Sequence, residues 1–269
     1  PGGATSGARL ALAAGAQLSL GTGTRQAFWV PGSVFTRRDG TTAVYPHTVT
    51  DRGKPGLIAV DHRGQRFVNE AVSYHEFVRA QLRGAPDAVP AWLVCDRRFL
   101  RRYGLGAVKP FAGARSVEVL VANGSLKRAQ SLASLAAQMG VPAAAFEATV
   151  AAFNADARRG IDTALGRGSD IYQRHLGDAE HQPNPCVAPI DTAPFFAVAV
   201  RPADLGMAAG IVTDASARVL DAAGTPIEGL YACGNDMQSV MNGAYPGPGV
   251  TLGPALVFGF LAGRAAAAG

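Results

Sequence analysis

The sequence predicts a mixed α+β / α/β chain built as two domains, and three observations predict it. Short apolar runs such as Ala91–Cys95 (AWLVC) and Leu230–Cys233 (LYAC) have the length and composition of buried strands. The stretch from Ser131 to Arg158 has helical spacing broken once, at Gly140 and Pro142, as two consecutive helices require. A glycine- and proline-rich loop, Gly243 to Gly249, leads straight into an apolar segment of helical composition, Val250 to Ala262. A length of 269 residues accommodates one large domain or two modest ones, and two is the preferred reading.

Taken in order, Ser6 to Gly15 reads as a short helix through Leu10, Ala13 and Ala14, with Gly15 as its stop. From Ala27 to Asp61, strand-like pieces (AFWV, LIAV) are broken by Pro31, Gly32, Gly40, Pro46 and Gly56. Leu57 to Val68 reads as a hairpin turning at His62–Gly64, and its second strand leads into RFVNEAVSYHEF, where Arg66, Asn69, Glu70, Tyr74, His75 and Glu76 crowd together. After the AWLVC strand comes a basic cluster, Arg97, Arg98, Arg101 and Arg102, whose bland reading is a solvated helix start. Ser131 caps a helix to Met139, and the next runs to about Arg158. Leu135, Phe146, Val150 and Phe153 are their core positions. Residues 161–191, rich in Gly, Pro and Asp, read as a long surface connection. Phe195–Val200 is a strand, Ile211–Thr213 and Arg218–Leu220 flank a hairpin turn, and Leu230–Cys233 is apolar enough for a sheet interior. The last apolar stretch is too short to span a bilayer and reads as a buried helix.

With 48% hydrophobic and 17% charged residues the chain has the profile of a globular enzyme, and its net charge of +5 comes from arginines scattered without interleaved aromatics, which argues against a nucleic-acid groove. Cys95, Cys186 and Cys233 are odd in number and widely spaced, which favours reduced thiols and a cytoplasmic setting. His47, His62, His75, His175 and His181 show no metal-ligand spacing with those cysteines, so no metal is expected and surface or loop positions are the simpler reading. The sequence starts at Pro1 with no Met and no basic-then-apolar leader, so neither a secretory signal nor an intact native N-terminus is expected in it.

The order strand, glycine loop, helix start over residues 230–262 is an anion-binding arrangement, because free amides and the positive end of the helix dipole converge there. Tight turns produce the same composition, and both readings stay open on pattern alone. The strings GLYACGND and NGAYPGPGVTLGPALVFGFLAG resemble the C-terminal flavin-binding signature of the fumarate reductase/succinate dehydrogenase flavoprotein superfamily, and YPGPG resembles its 3-ketosteroid dehydrogenase branch. GLIAVDHRGQRFVNEAVSYHEF is similar to that family's cap entry, and SLASLAAQMGVPAAAFEATVAAFNADARRG to its paired cap helices.

The resemblance implies an FAD-binding domain in two pieces, residues 1–35 and 207–269, around an inserted α+β cap over residues 36–206. It also implies that the pyrophosphate-gripping GxGxxG unit lies upstream of Pro1. Gly21-Thr22-Gly23-Thr24 is not that unit, since Gln26 stands at the third glycine and no helix pattern follows. Tyr245 would donate its hydroxyl to a substrate keto oxygen, with the Gly249 amide as second donor, while Pro246 and Pro248 offer none. Tyr74 would be the proton acceptor, assisted by His75 or Arg79 because a phenol of pKa about 10 is a weak base at neutral pH. Gly234 and Asn235 would lie against the cofactor, as would the amides of Val250, Thr251 and Leu252. The implied activity is oxidation or reduction of a CH–CH bond beside a carbonyl, on an apolar ketone such as a steroid. A dicarboxylate or enoate reductase is the alternative, with Arg98 or Arg101 for a carboxylate, although GMAAG and Tyr245-Pro246 stand where that branch carries histidine and arginine. The alternative of another class is a flavin-free, inactive fragment.

Overall fold

The computed structural model describes residues 4–37, 39–48 and 51–268; residues 1–3 and 269, the outer limits of the expected two-piece domain, lie outside these. Along the chain the elements are α1 (Ala4–Ala13), β1 (Leu18–Ser19), β2 (Ala27–Thr36), β3 (Thr42–Pro46), β4 (Leu57–Val60) and α2 (Tyr74–Arg83). Then follow β5 (Ala91–Asp96), α3 (Arg97–Tyr103), α4 (Ala114–Ala122), β6 (Lys127–Ala129), α5 (Leu132–Met139), α6 (Ala143–Arg158) and α7 (Ile171–Leu176). The last are β7 (Phe195–Met207), β8 (Gly210–Ile211), β9 (Arg218–Leu220), β10 (Pro226–Tyr231) and α8 (Leu252–Ala268). The chain divides into two compact units. Unit 1 is Pro1–Trp29 with Asp204–Gly269, and unit 2 is Val30–Ala203.

Unit 2 is organised by a sheet of strand order β3-β2-β7-β5-β4, with β6 paired to β7 beside that path. β5 lies antiparallel between β4 (Ile58↔Val94) and β7 (Leu93↔Val198). Alternate residues of these strands point to opposite faces. Ile58, Val60, Val94 and Ala197 pack on Leu135, Phe146, Val150 and Phe153 of α5 and α6, while Leu57, Leu93, Cys95 and Val198 pack on Phe77 of α2 and Phe99 of α3. A strand covered on both faces must be apolar throughout, which is why AWLVC shows no alternation. Ser131 caps α5 through the Ser134 amide, and Gly140 closes it in the left-handed region at φ 70°.

Three expectations are corrected in this unit. β2 runs unbroken through Pro31 and Gly32; the Pro31 carbonyl accepts from the His47 amide, and a Cβ on Gly32 would stand 2.9 Å from a Val44 methyl. Residues 161–191 are not a surface connection: they include α7, and Arg167, Cys186 and Val187 are fully buried. His47 and His75 are likewise buried rather than at the surface. Side-chain hydrogen bonding hides these burials from an apolar pattern.

Unit 1 has two short antiparallel ribbons, β1 with β8 and β9 with β10, around Ala11, Ile211, Val219, Ala232 and Met237. Two corrections apply. β10 is not a buried central strand but half of a two-stranded ribbon with no buried position, and of Leu230–Cys233 only Ala232 is buried. The last helix is not buried either: among its described residues none is, and Leu252, Leu256 and Phe260 are 64%, 66% and 64% exposed at four-residue spacing. Among the described residues, no helix is long and apolar enough to cross a membrane.

Candidate flavin and substrate site

In unit 1, β10 ends at Tyr231 and the chain turns at Gly234, whose φ of 66° suits glycine, into a single 3₁₀ turn, Gly234–Asp236. That turn is held from two sides. A Cβ on Gly210 would stand 2.6 Å from the Asp236 carbonyl oxygen, so position 210 must stay bare for the turn to sit where it does, and a Cβ on Gly206 would stand 3.0 Å from the Asn235 side-chain nitrogen and press that amide aside. Beyond it Met237 bridges Ile211, and the amides of Gln238 and Ser239 donate to the carbonyls of Ile211 (2.8 Å) and Ala208 (2.9 Å).

The loop that follows is equally anchored. The Ala244 amide donates to Met241, and Gly243, at φ 76°, passes so close to Arg25 that a Cβ would overlap its side chain at 2.5 Å. This places Tyr245 edge-on against Phe28, with ring centroids 5.4 Å apart at 71°, beside Val250, Ala208 and Met241. Its ring is half-buried rather than enclosed in the core. Gly249 has φ 97° with open space around the position a Cβ would take, and Gly247 and Gly253 are similarly open. The first ladder bond of α8 runs from the Gly253 amide to the Gly249 carbonyl at 2.8 Å, so the amides from Gly249 to Leu252 form the unclaimed first turn.

A narrow cleft of about 10 Å³ is lined by Phe28, Met207, Gly234, Asn235, Val250 and Thr251. Four of the five expected cofactor positions thus share one wall, and Leu252 lies exposed at the adjoining helix start. The cleft itself is far too small for a tricyclic ring system, which could only lie across this wall. Bare glycines, an exposed Asn235 and free helix-start amides suit a planar ring with carbonyl oxygens along its edge.

Tyr74 belongs to unit 2. It is the first residue of α2, behind the Ser73 cap, and is 5% exposed. Of the two residues expected to assist it, Arg79 is paired with Glu76 at 2.9 Å and His75 is fully buried. The basic cluster of α3 is solvated as the bland reading expects: Arg98 binds Asp96 and Asp191, and Arg102 binds Asp178 and Glu180.

Two buried polar assemblies in unit 2 were not visible in the sequence. Glu70 receives Arg66 at 2.8 and 2.7 Å, Arg167 at 3.2 Å and the Ala59 amide at 2.9 Å, and Arg66 also forks onto Asp162 at 2.9 and 2.8 Å. Burial pushes the Glu70 carboxyl up, but the facing Arg66 and Arg167 with the Ala59 amide outweigh it and hold the group below its ordinary value. Arg52 donates to the carbonyls of His47, Thr48, Glu70 and Val72, and burial brings it down to about 10 despite Asp51.

The second assembly is Ser33–His47–Asp51, with His47 Nε2 2.8 Å from Ser33 Oγ and Nδ1 2.6 Å from Asp51 Oδ2. These are the contacts of a nucleophilic relay. However, Ser33 is 5% exposed, and Asp51, not Ser33, borders a cavity, so the arrangement is a structural tether between β2 and the segment after β3. Separations of 14 and 4 residues carry no motif that a reader of the sequence would find.

Comparison with known proteins gives these geometries a family. A model described as "FAD binding domain" matches residues 2–252. The chain belongs to the FAD-binding domain family. It is 44% identical over 238 residues to a 4-oxocyclohex-2-ene-1-carboxylate 5-dehydrogenase of Sinomonas cyclohexanicum, covering 88% of this chain and 40% of the relative. It is 40% identical over 221 residues to a 3-oxosteroid 1-dehydrogenase of Mycobacterium tuberculosis, covering 80% of this chain and 39% of the relative. Among solved structures, a 3-ketosteroid Δ1-dehydrogenase of Sterolibacterium denitrificans in complex with 1,4-androstadiene-3,17-dione superposes with TM-score 0.87 at 39% identity, over 97% of this chain and 46% of that one. A flavocytochrome c3 fumarate reductase shares the fold at TM-score 0.59 and 24% identity. The chain therefore spans about two-fifths of the length of these curated relatives.

Proposed function

We propose that this chain is part of an FAD-dependent dehydrogenase acting on a CH–CH bond next to a ring carbonyl, with unit 1 as the flavin-binding portion and unit 2 as the cap. The observation that carries the reading is Tyr245, held half-exposed against Phe28 at the mouth of an open, glycine-flanked helix start. The relatives named above include a 4-oxocyclohex-2-ene-1-carboxylate 5-dehydrogenase and a 3-oxosteroid 1-dehydrogenase, whose named substrates have a six-membered ring ketone in common. An apolar ring ketone such as a 3-ketosteroid is the proposed substrate.

Bound FAD supplies the hydride acceptor. Gly234, Asn235 and the amides of Val250, Thr251 and Leu252 would hold its ring edge. The Tyr245 hydroxyl and the Gly249 amide donate to the keto oxygen, so that negative charge gathering there is stabilised and the adjacent C–H becomes more acidic. Tyr74 takes the departing proton. Of the two arginines a dicarboxylate reading would use, Arg98 is already engaged by Asp96 and Asp191, which leaves that reading Arg101 alone. The free cysteines Cys95 and Cys186, both buried, suit the proposed cytoplasmic setting.

The test is to titrate the chain with FAD while following flavin absorbance and fluorescence, then to assay a 3-ketosteroid with an artificial electron acceptor. Uptake of flavin with turnover that collapses in Tyr245→Phe supports the reading. A chain that turns over the ketone equally well with Phe at 245 removes the assigned oxygen donor, and a chain that takes up no flavin favours the inactive fragment.

A further inference from the structure

Unit 2 contains a cavity of about 830 Å³, within the range of sites that enclose ring compounds, and none of its lining residues belongs to unit 1. Its apolar lining comes from Phe35, Tyr45, Leu105, Val108, Pro110 and Leu176. The turn between Leu105 and Val108 is closed by two reciprocal backbone bonds of 2.9 and 3.0 Å, which fixes one wall. Gly106 forms the tip at φ 56°, and a Cβ there would press on Ser33 Oγ and on the His47 ring at 3.3 and 3.4 Å. The Ser33–His47–Asp51 tether therefore braces the cavity from behind.

The charged groups at the lining decide what it can receive. Asp51 is satisfied by His47 Nδ1 at 2.6 Å and by the Arg52 amide at 2.8 Å, so its charge is compensated. Lys54 Nζ donates to the Gly177 carbonyl at 2.7 Å, and Arg102 is held by Asp178 and Glu180 at 2.8 Å each. Lys109 and His175 remain: among the described residues neither side chain has a hydrogen-bond or ion-pair partner. The lining thus offers apolar walls, an available ammonium and no uncompensated carboxylate.

We infer that this cavity binds an apolar fused-ring compound carrying a single carboxylate, its rings between Tyr45 and the Leu105–Val108 turn and its carboxylate toward Lys109. None of the residues assigned to ketone turnover, Tyr74, Tyr245 and Gly249, lines this cavity, so ligand binding here is read separately from turnover.

The probes are 2-naphthoate and its uncharged analogue naphthalene-2-carboxamide, titrated into the 269-residue chain by calorimetry. Naphthoate binds saturably and about two- to fivefold more tightly than the amide at low salt, the scale of one partly exposed ion pair, and the preference shrinks at high salt. Lys109→Ala erases the preference while leaving amide binding in place. Ala107→Trp, which fills the cavity beside the turn, abolishes binding of both. In the unmodified chain, methyl resonances of Leu105, Val108 and Leu176 shift on naphthoate addition, a readout that survives if Ala107→Trp does not fold. Absence of saturable binding, a preference unchanged by Lys109→Ala, or methyl shifts confined to other residues overturns the assignment.

Discussion

Replacing Glu70 with Gln tests the buried charge cluster of unit 2 directly. The carboxylate oxygens of Glu70 accept four contacts, two from Arg66 and one each from Arg167 and the Ala59 amide. Gln keeps one acceptor oxygen but puts an NH₂ donor where the other was, facing guanidinium N–H groups. Arg66 retains Asp162, whereas Arg167, fully buried, loses its anionic partner and keeps only the carbonyls of Leu57, Arg52 and Lys54. Breaking a buried pair by removing one member costs about 3–5 kcal/mol, and the residual carbonyl bonds place this case at the lower end, about 3 kcal/mol. For a domain of this size each kcal/mol lowers Tm by about 2–4 °C, so a fall of about 6–12 °C is expected by calorimetry at neutral pH. Because the folded Glu70 sits below its unfolded pKa, its contribution is complete above the unfolded carboxylate range near pH ~4 and is lost as pH falls through the lower folded value. Glu70→Gln should therefore flatten the acid side of the stability profile as well as lowering its plateau. A variant that melts within about 2 °C of the parent, with an unchanged acid limb, would refute the idea that Glu70 neutralises these arginines.

The remaining predictions are briefer. Tyr245→Phe keeps the ring against Phe28, and kcat for a 3-ketosteroid falls by about 10²–10³, the cost of one lost oxyanion donor; steady-state assay beside a melting curve separates this loss from any change in stability. Gly206→Ala puts a methyl about 3.0 Å from the Asn235 amide and should weaken FAD uptake, read by fluorescence titration, without lowering Tm of unit 2. Ser33→Ala leaves His47 Nε2 buried without its hydroxyl partner and should cost about 1–3 kcal/mol in urea unfolding, with no change in ester hydrolysis because the tether is not a nucleophile. Phe146→Ala, at a fully buried position between α6 and the sheet, should cost about 3–5 kcal/mol in the same assay.

How much of this was legible depended on the kind of residue involved. Leu135, Phe146, Val150 and Phe153 announced the α5–α6 pair because apolar spacing and the Ser131 and Gly140 caps agree. AWLVC announced a strand covered on both faces for the same reason. Arg52, Arg167, His47 and Asp51 announced nothing: their partners are carbonyls and side chains up to 115 residues away, and no local rule distinguishes a buried arginine from a solvated one. The apolar helix α8 misled in the opposite direction, since composition records what a face can pack against and not whether these residues supply the partner. At the candidate site, the glycine loop and Asn235 were readable as neighbours, but the tight backing by Gly206, Gly210 and Arg25 emerges only from the folded geometry.

The arginines of unit 2 also set an asymmetry in how this chain can drift. Arg52 and Arg167 clasp seven main-chain oxygens, from residues such as His47, Thr48, Leu57 and Val72, and every amino acid carries such an oxygen. Apart from Glu70, whose carboxylate also meets Arg167, and Arg52 itself, the clasped residues can exchange their side chains without loosening the clasp. The guanidinium forks cannot be traded for lysine, whose single ammonium cannot reach in several directions at once. Among divergent copies, the same strapped loop should persist beneath changing letters while those two positions stay fixed.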